Sequence, residues 1–386
     1  MELSKKRDDS VNTNKKGNAA LVALLVMIII VGVAAIVMVL GGRNDIEDTQ
    51  DSPQVKSTTQ VTSATAATTA EPEVPRVIDL YPHKASSYKE TSIKDFTAVS
   101  SVLVDLDDDT VLAGKNLHKK IYPASLTKVM TILVACENVK SYDDMYTFKD
   151  EDFNQIAETD ASIAGFKPGE KVSARDLLYG AILPSGADAC VGLENLVAGS
   201  HEAFIKLMND RVQELGLKNT HFVNSTGLHD KDHYTTVADL AVIMKVANHN
   251  ATCKTVLTTM EYTTARTEQN PDGIKLPCTL LGRTAGYYID YNGNGANDDS
   301  VSVIGGKTGY TTEAGCTIAT IAYDSESNRT YCCVLAKCKD ALTSAFETMS
   351  MYEKYLPGSK AQIPDAEAAP AAATTTTAAA TTAKAA

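Results

Sequence analysis

An α+β domain built on one antiparallel sheet packed with helices, with one transmembrane helix ahead of it, is what this chain of 386 residues predicts. Three observations carry the prediction. Apolar residues alternate in a stretch near the front of the domain, the mark of a strand in a sheet, and further strand-like stretches follow near its end. Capped and periodic stretches between them mark helices, so strands flank helices instead of alternating with them. From Gly17 to Gly42 no residue is charged, and about 20 apolar residues cross a bilayer as a helix.

Taken in order, Lys5, Lys6, Arg7, Lys15 and Lys16 precede the uncharged run, while Asp45, Glu47, Asp48 and Asp51 follow it. The positive-inside rule then makes residues 1–16 a cytoplasmic N-terminus, 17–42 a single-pass signal-anchor in the cell membrane, and the remainder extracytoplasmic. A cleaved signal peptide would have a shorter apolar region, about 7–15 residues, and a small-x-small end. Residues 43–76 are rich in Thr, Ser and Ala and read as a disordered linker. Residues 77–357 form one folded domain, and 358–386 an Ala/Thr-rich tail without the large apolar residues of an amphipathic anchor.

Within the domain, Val102, Val104 and Leu106 alternate in a strand over Phe96 to Leu106, Asp107 to Thr110 turn it, and Val111 to Ala113 return as the second arm of a hairpin. Helices are expected over Ser125 to Cys136, from Ser173 with Asp176 as its cap partner, over Ser200 to Leu215 ended by Gly216, and over Thr236 to Ala247 with Asp239 closing the cap. Strands over Ser302 to Ile304, Gly306 to Tyr310, Cys316 to Tyr323 and Arg329 to Leu335 lead into a final helix around Asp340 to Leu356. The formal net charge of -12 and the lack of Trp argue against a nucleic-acid partner, which needs a basic face. The 8 Cys are compatible with disulfides or with buried thiols, and no Cys-x-x-Cys pair points to zinc.

The chemistry centres on Tyr122-Pro123-Ala124-Ser125-Leu126-Thr127-Lys128. Residues i and i+3 share a helix face about 5–6 Å apart at Cβ, so Ser125 Oγ and Lys128 Nζ can meet. Pro123 suits a helix start and leaves Ser125 beside unpaired backbone N–H groups, a place for a nucleophile. Alone, Ser-x-x-Lys is a cheap pattern. Two later stretches, Ser185-Gly186-Ala187 and Lys307-Thr308-Gly309, follow in the order in which the penicillin-recognising serine enzymes carry Ser-x-x-Lys, Ser-x-Asn and Lys-Thr-Gly. With Gly165 to Glu170, Asp176 to Gly180 and Asn219 to Asn224 as flanks, the chain from about Ser92 to Leu356 resembles the D-alanyl-D-alanine carboxypeptidases, the low-molecular-mass penicillin-binding proteins.

That resemblance implies a β-lactamase/transpeptidase-like fold, no cofactor and no metal. It also implies peptidoglycan stem peptides and β-lactam antibiotics as partners, beside the membrane expected from the N-terminal helix. Ser125 would be the nucleophile and Lys128 its base, which must act neutral although free Lys titrates near 10.4. Burial and a second cation, Lys307, would lower it, and Ser185 would relay the proton to the leaving D-alanine. The oxyanion would lie between the backbone N–H groups of Ser125 and Tyr310, Thr308 would hold the terminal carboxylate, and Gly305, Gly306 and Gly309 would admit the substrate backbone.

Several features depart from that pattern or stand outside it. Ala187 replaces the usual Asn, with Asp188 or Asn224 as compensating groups, and Lys337 and Lys339 are the stand-ins for an Arg that draws in the carboxylate. Asp290 to Gly295 match the first half of a calcium loop, yet its twelfth position is Val301 where Glu is expected, so a polar loop is the expectation. His221, His229 and His233 lack helical metal spacing. Two other functions stand beside the membrane-anchored carboxypeptidase: a β-lactamase, which would need an added base that no Glu-x-x-Leu-Asn stretch supplies, and a non-catalytic wall-binding module, favoured only by Ala187.

Overall fold

The computed structural model describes residues 80–92, 96–154, 156–157, 159–295 and 300–360. The chain divides into two units, Met1–Glu73 and Val74–Ala386, and every described residue belongs to the second.

Strands β1 (His83–Glu90), β2 (Ser100–Asp105), β3 (Thr110–Lys115), β8 (Val301–Thr311), β9 (Gly315–Asp324) and β10 (Arg329–Cys338) form a six-stranded sheet in the order β1-β3-β2-β10-β9-β8. The short strands β4 (Met145–Thr147) with β5 (Lys171–Ser173), and β6 (Glu261–Thr263) with β7 (Lys275–Pro277), make two small ribbons. The large sheet is antiparallel except where β1 runs parallel to β3. Every residue of β2, and Tyr331 to Ala336 of β10, are buried without alternation, as in a sheet covered on both faces. The two stretches expected as separate strands before and after Gly305 are one strand, β8, with a register irregularity between Val303 and Gly305. It lies at the sheet edge.

The helices are α1 (Thr127–Asn138), α2 (Ala174–Ile182), α3 (Ala187–Ala198), α4 (His201–Glu214), α5 (Val237–His249), α6 (Ala251–Thr258), α7 (Thr279–Thr284) and α8 (Ala341–Tyr355). Residues Thr127 to Ala135 of α1 are buried without a polar face, the signature of a helix enclosed by others, and it packs against α2, α3, α4, α5 and α6. The expected caps are made: Ser173 accepts from Asp176 N, Ser200 from Ala203 N, and Thr236 from Asp239 N. Such caps satisfy backbone N–H groups left unpaired at a helix start, at about 1 kcal/mol each. Both α5 and α8 rest on β2 and β10, and Tyr352 of α8 is anchored by its hydroxyl 2.8 Å from Thr320 Oγ1 on β9.

The α+β class stands, and the transmembrane helix is corrected. Among the described residues no helix is long and apolar enough to cross a membrane. The longest of them, α8, has 15 residues, against roughly 20 for a bilayer. The single-pass membrane localisation, the membrane anchor and the membrane partner rested on residues 17–42, which lie outside the described residues, and no described helix supports them. The expected cytoplasmic segment 1–16, the linker 43–76 and the tail beyond 360 also lie outside them.

Candidate active site

Ser125 sits in a 3-10 turn, Ala124–Leu126, that runs straight into α1. The turn begins with a local cost: Ala124 adopts φ 48°, a left-handed conformation rare for a residue with a side chain. Two glycines hold this backbone in place. A Cβ on Gly227, whose φ is 84°, would lie 1.9 Å from Ala124 O, and one on Gly309 would lie 2.9 Å from Ser125 N. Gly309 thereby lets β8 press against the turn, which brings Lys307-Thr308-Gly309 alongside Ser125. Gly305 and Gly306 have a different reason from the expected one, since added Cβ atoms there would strike Leu257 O at 2.3 Å and Ala319 O at 2.1 Å, so the chain itself fills the space.

One turn into the structure, Lys128 Nζ lies 3.1 Å from Ser125 Oγ and donates to Thr226 O at 2.5 Å. The residue is 2% exposed, and burial lowers its pKa from the ordinary 10.5, while Cys190 and Asp188 pull slightly the other way. Lys307 is as deeply buried, donates to Thr308 O at 2.8 Å, and is pushed well down by burial and then by the Lys128 ammonium. Burial, rather than a second cation, is the first cause of the shift at Lys128.

The carbonyl that holds Lys128 belongs to a loop built for the purpose. Asn224 Oδ1 accepts from Thr226 N and Gly227 N, a side-chain turn that Asn favours. Thr131 Oγ1 of α1 donates to Ser225 O at 2.7 Å, and Ser225 Oγ donates to Glu194 of α3. Sequence reasoning took Asn224 as a compensating group and missed that Thr226 and Gly227 touch the reacting residues.

Ser185 lies in the turn between α2 and α3 with φ 67°, another left-handed residue, and is buried. The next motif position differs from expectation in its surroundings. Ala187 is fully buried and packs with Ile156 and Val191 in a small apolar cluster. Neither proposed compensator is free to replace the missing amide: Asp188 accepts from Ala164 N, Gly165 N, Phe166 N and Ala189 N, and Asn224 is spent on its own loop. Lys128 has the Thr226 carbonyl and the Ser125 hydroxyl as its polar partners instead.

Thr308 Oγ1 is 3.3 Å from Thr279 Oγ1 at the start of α7, and Arg283 from the same helix donates to Thr317 O at 3.3 Å. Thr317 is the register partner of Gly309. The Tyr310 side chain is 62% exposed at the rim. His233 uses both ring nitrogens internally, Nδ1 accepting from Val223 N at 3.1 Å and Nε2 facing Thr127 Oγ1 at 2.8 Å. Burial pushes its pKa down to about 3. His229 packs edge-on against Tyr122, and Asp290 accepts from Asn294 N and Gly295 N within its own loop.

Comparisons with known proteins agree with one another. A family model described as D-alanyl-D-alanine carboxypeptidase matches residues 86–337. The chain is 38% identical over 161 residues to D-alanyl-D-alanine carboxypeptidase DacF of Bacillus subtilis, covering 41% of this chain and 40% of that protein. It is 31% identical over 224 residues to the D-alanyl-D-alanine carboxypeptidase of Streptomyces sp. strain K15, covering 56% of this chain and 73% of that one. The match thus spans about two fifths of DacF but nearly three quarters of the Streptomyces protein. Among solved structures, the Streptomyces K15 DD-transpeptidase superposes with TM-score 0.58 at 26% identity, over 68% of this chain and 98% of that one. Penicillin binding protein 5 from Haemophilus influenzae gives TM-score 0.58 at 27% identity, over 68% and 72%.

Proposed function

This chain belongs to the D-alanyl-D-alanine carboxypeptidase family, and from that premise we propose that it is a serine carboxypeptidase that removes the terminal D-alanine from peptidoglycan stem peptides. The observation that carries the reading is the 3.1 Å approach of a buried, pKa-lowered Lys128 to Ser125, with the edge strand β8 pressed against the same turn. Neutral Lys128 takes the Ser125 proton as Oγ attacks the carbonyl of the penultimate residue. The Thr226 carbonyl holds one N–H of the amine and so directs its lone pair. The N–H groups of Ser125 and Tyr310 receive the oxyanion. The proton passes through Ser185 to the nitrogen of the departing D-alanine. Water, activated by Lys128, then cleaves the acyl-enzyme ester and returns the serine hydroxyl.

Lys307 and Thr308 bind the substrate carboxylate, Gly309 sets the approach of strand and serine, and β-lactams acylate the same Ser125. The folded domain over 77–357 carries all of these groups. The site lies among described residues in which no helix is long and apolar enough to cross a membrane.

Release of D-alanine from a peptide ending in D-Ala-D-Ala, measured beside labelling by a fluorescent penicillin, separates the alternatives. A carboxypeptidase releases D-alanine and is labelled, and Ser125→Ala abolishes both. Rapid turnover of the penicillin without D-alanine release would identify a β-lactamase. Labelling without turnover of either compound would leave a binding module.

A further inference from the structure

Glu194 is a carboxylate on α3, 2% exposed, that the chemistry above does not use. Taking such a charge out of water is costly unless partners hold it, and its two oxygens find partners on different parts of the chain. Oε1 accepts from Ser225 Oγ, and Oε2 lies 3.1 Å from His201 Nδ1 at the start of α4. That contact is the first cause of a raised pKa at His201, which favours the imidazolium beside the carboxylate. A buried ion pair therefore stands behind Ser225.

Ser225 is fully buried and held through both its hydroxyl and its carbonyl. The hydroxyl is bound by Glu194, and the carbonyl accepts from Thr131 Oγ1 of α1 at 2.7 Å. Thr131 stands three residues after Lys128, so one face of α1 carries both the amine and a clamp on the loop. The residue after Ser225, Thr226, turns its carbonyl onto Lys128 Nζ at 2.5 Å, and the next, Gly227, lies against Ala124 O. Consecutive Cα atoms are about 3.8 Å apart, so a shift of Ser225 passes directly to the carbonyl that orients the base. We propose that Glu194, braced by His201, is a positioning residue for Lys128, acting through Ser225 and the Thr226 carbonyl. The proposal rests on the carboxypeptidase reading of Ser125 and Lys128 and adds to it a residue outside the sequence motifs.

Penicillin acylation, resolved into a dissociation constant for the encounter complex and a rate constant for the chemical step, tests it. Misplacing a reacting group by about 1 Å costs about 10²-fold, so Glu194→Ala is expected to slow the chemical step by at least about tenfold with the dissociation constant unchanged. Glu194→Gln keeps an oxygen for the Ser225 hydroxyl and should stay within about threefold of wild type. A Glu194→Ala/Ser225→Ala double variant should be no slower than Glu194→Ala alone, because one path carries both losses. The pH profile adds a sign. The Thr226 carbonyl accepts from the Lys128 ammonium and so favours the charged form, and once it is displaced the rising ionisation of acylation should move to lower pH. The charged and titratable groups around Lys128, which are Asp188 and Cys190 of α3, Lys307 of β8 and His233, are the same in every variant. A merely structural loss would lower stability without moving that ionisation. An unchanged rate constant in Glu194→Ala, or losses that multiply in the double variant, would overturn the proposal. Should Glu194→Ala not fold, Ser225→Ala decides, a chemical step slowed by about tenfold supporting the path and a wild-type rate refuting it. If penicillin does not acylate the wild-type protein, the carboxypeptidase reading fails separately. An NMR titration of isotope-labelled Lys128 then decides, a lower pKa in Glu194→Ala than in wild type supporting the positioning and an equal one refuting it.

Discussion

At the scale of single residues, Lys128 must lose a proton to work. Its pKa is lowered by burial, so penicillin acylation should rise with pH along one ionisation that lies below the ordinary lysine value. Lys128→Ala should slow acylation by about 10³-fold, within the usual range for removing a general base. Stopped-flow labelling across pH checks both, and wild-type kinetics in that variant near pH 7 would move the base elsewhere. The position that departs from the family pattern behaves differently. Because Ala187 packs against Ile156 and Val191, Ala187→Asn places an amide among methyl groups, at a cost of about 1–3 kcal/mol in stability. Its kcat/KM for a D-Ala-D-Ala peptide should gain no more than about threefold, under 1 kcal/mol of barrier. A tenfold gain would mean that the new amide reaches the reaction centre after all.

At the scale of elements, the reacting groups depend on three pieces meeting at one turn: α1, the loop carrying Thr226, and β8. Gly227→Ala should therefore fail twice, once for its positive φ and once for a Cβ within 1.9 Å of Ala124 O. Gly199→Ala is the control, since Gly199 shares a positive φ of 78° but has nothing within 4 Å of an added Cβ. Both should lose about 1–2 kcal/mol from the left-handed backbone, while only Gly227→Ala should lose acylation, by at least about tenfold. Equal acylation in the two variants would detach the loop from the nucleophile. The same comparison explains what was legible in the sequence. Ser125 and Lys128 meet because i and i+3 are neighbours on any helix, and the caps of α2, α4 and α5 are local signals of the same kind. Thr226 bonds to a lysine 98 positions earlier, a contact that tertiary folding alone creates. Strand β1 was missed because its side chains are exposed or half-buried throughout, leaving no alternation to read. Helix α3 begins without a side-chain cap, and its first residues read as a catalytic motif instead.

At the scale of the whole molecule, a buried imidazole sets how stability responds to acid. His233 links α1, through Thr127, to the chain at Val223, and its pKa is pushed down to about 3 by burial, against a small opposing pull from Asp230. A group whose folded pKa is depressed binds its proton more readily in the unfolded chain, so stability falls as pH drops from the unfolded value near 6.5 towards about 3. Between pH 7.5 and 5 this one residue should remove about 2 kcal/mol. His201 works in the other direction, because its hydrogen bond to Glu194 raises its pKa and adds stability below its unfolded value, lost as pH rises through the raised one. It is only partly buried, so screening by solvent makes its contribution the smaller. Substituting His233→Asn keeps an oxygen for Val223 N–H and removes the titration. That variant should be less stable than wild type at pH 7.5, having lost the bond to Thr127, yet it should lose less stability on going to pH 5. Urea unfolding of both proteins at the two pH values measures the difference. The same acid slope in both proteins would show that the loss arises elsewhere, in the carboxylates that cap helices and hold loops.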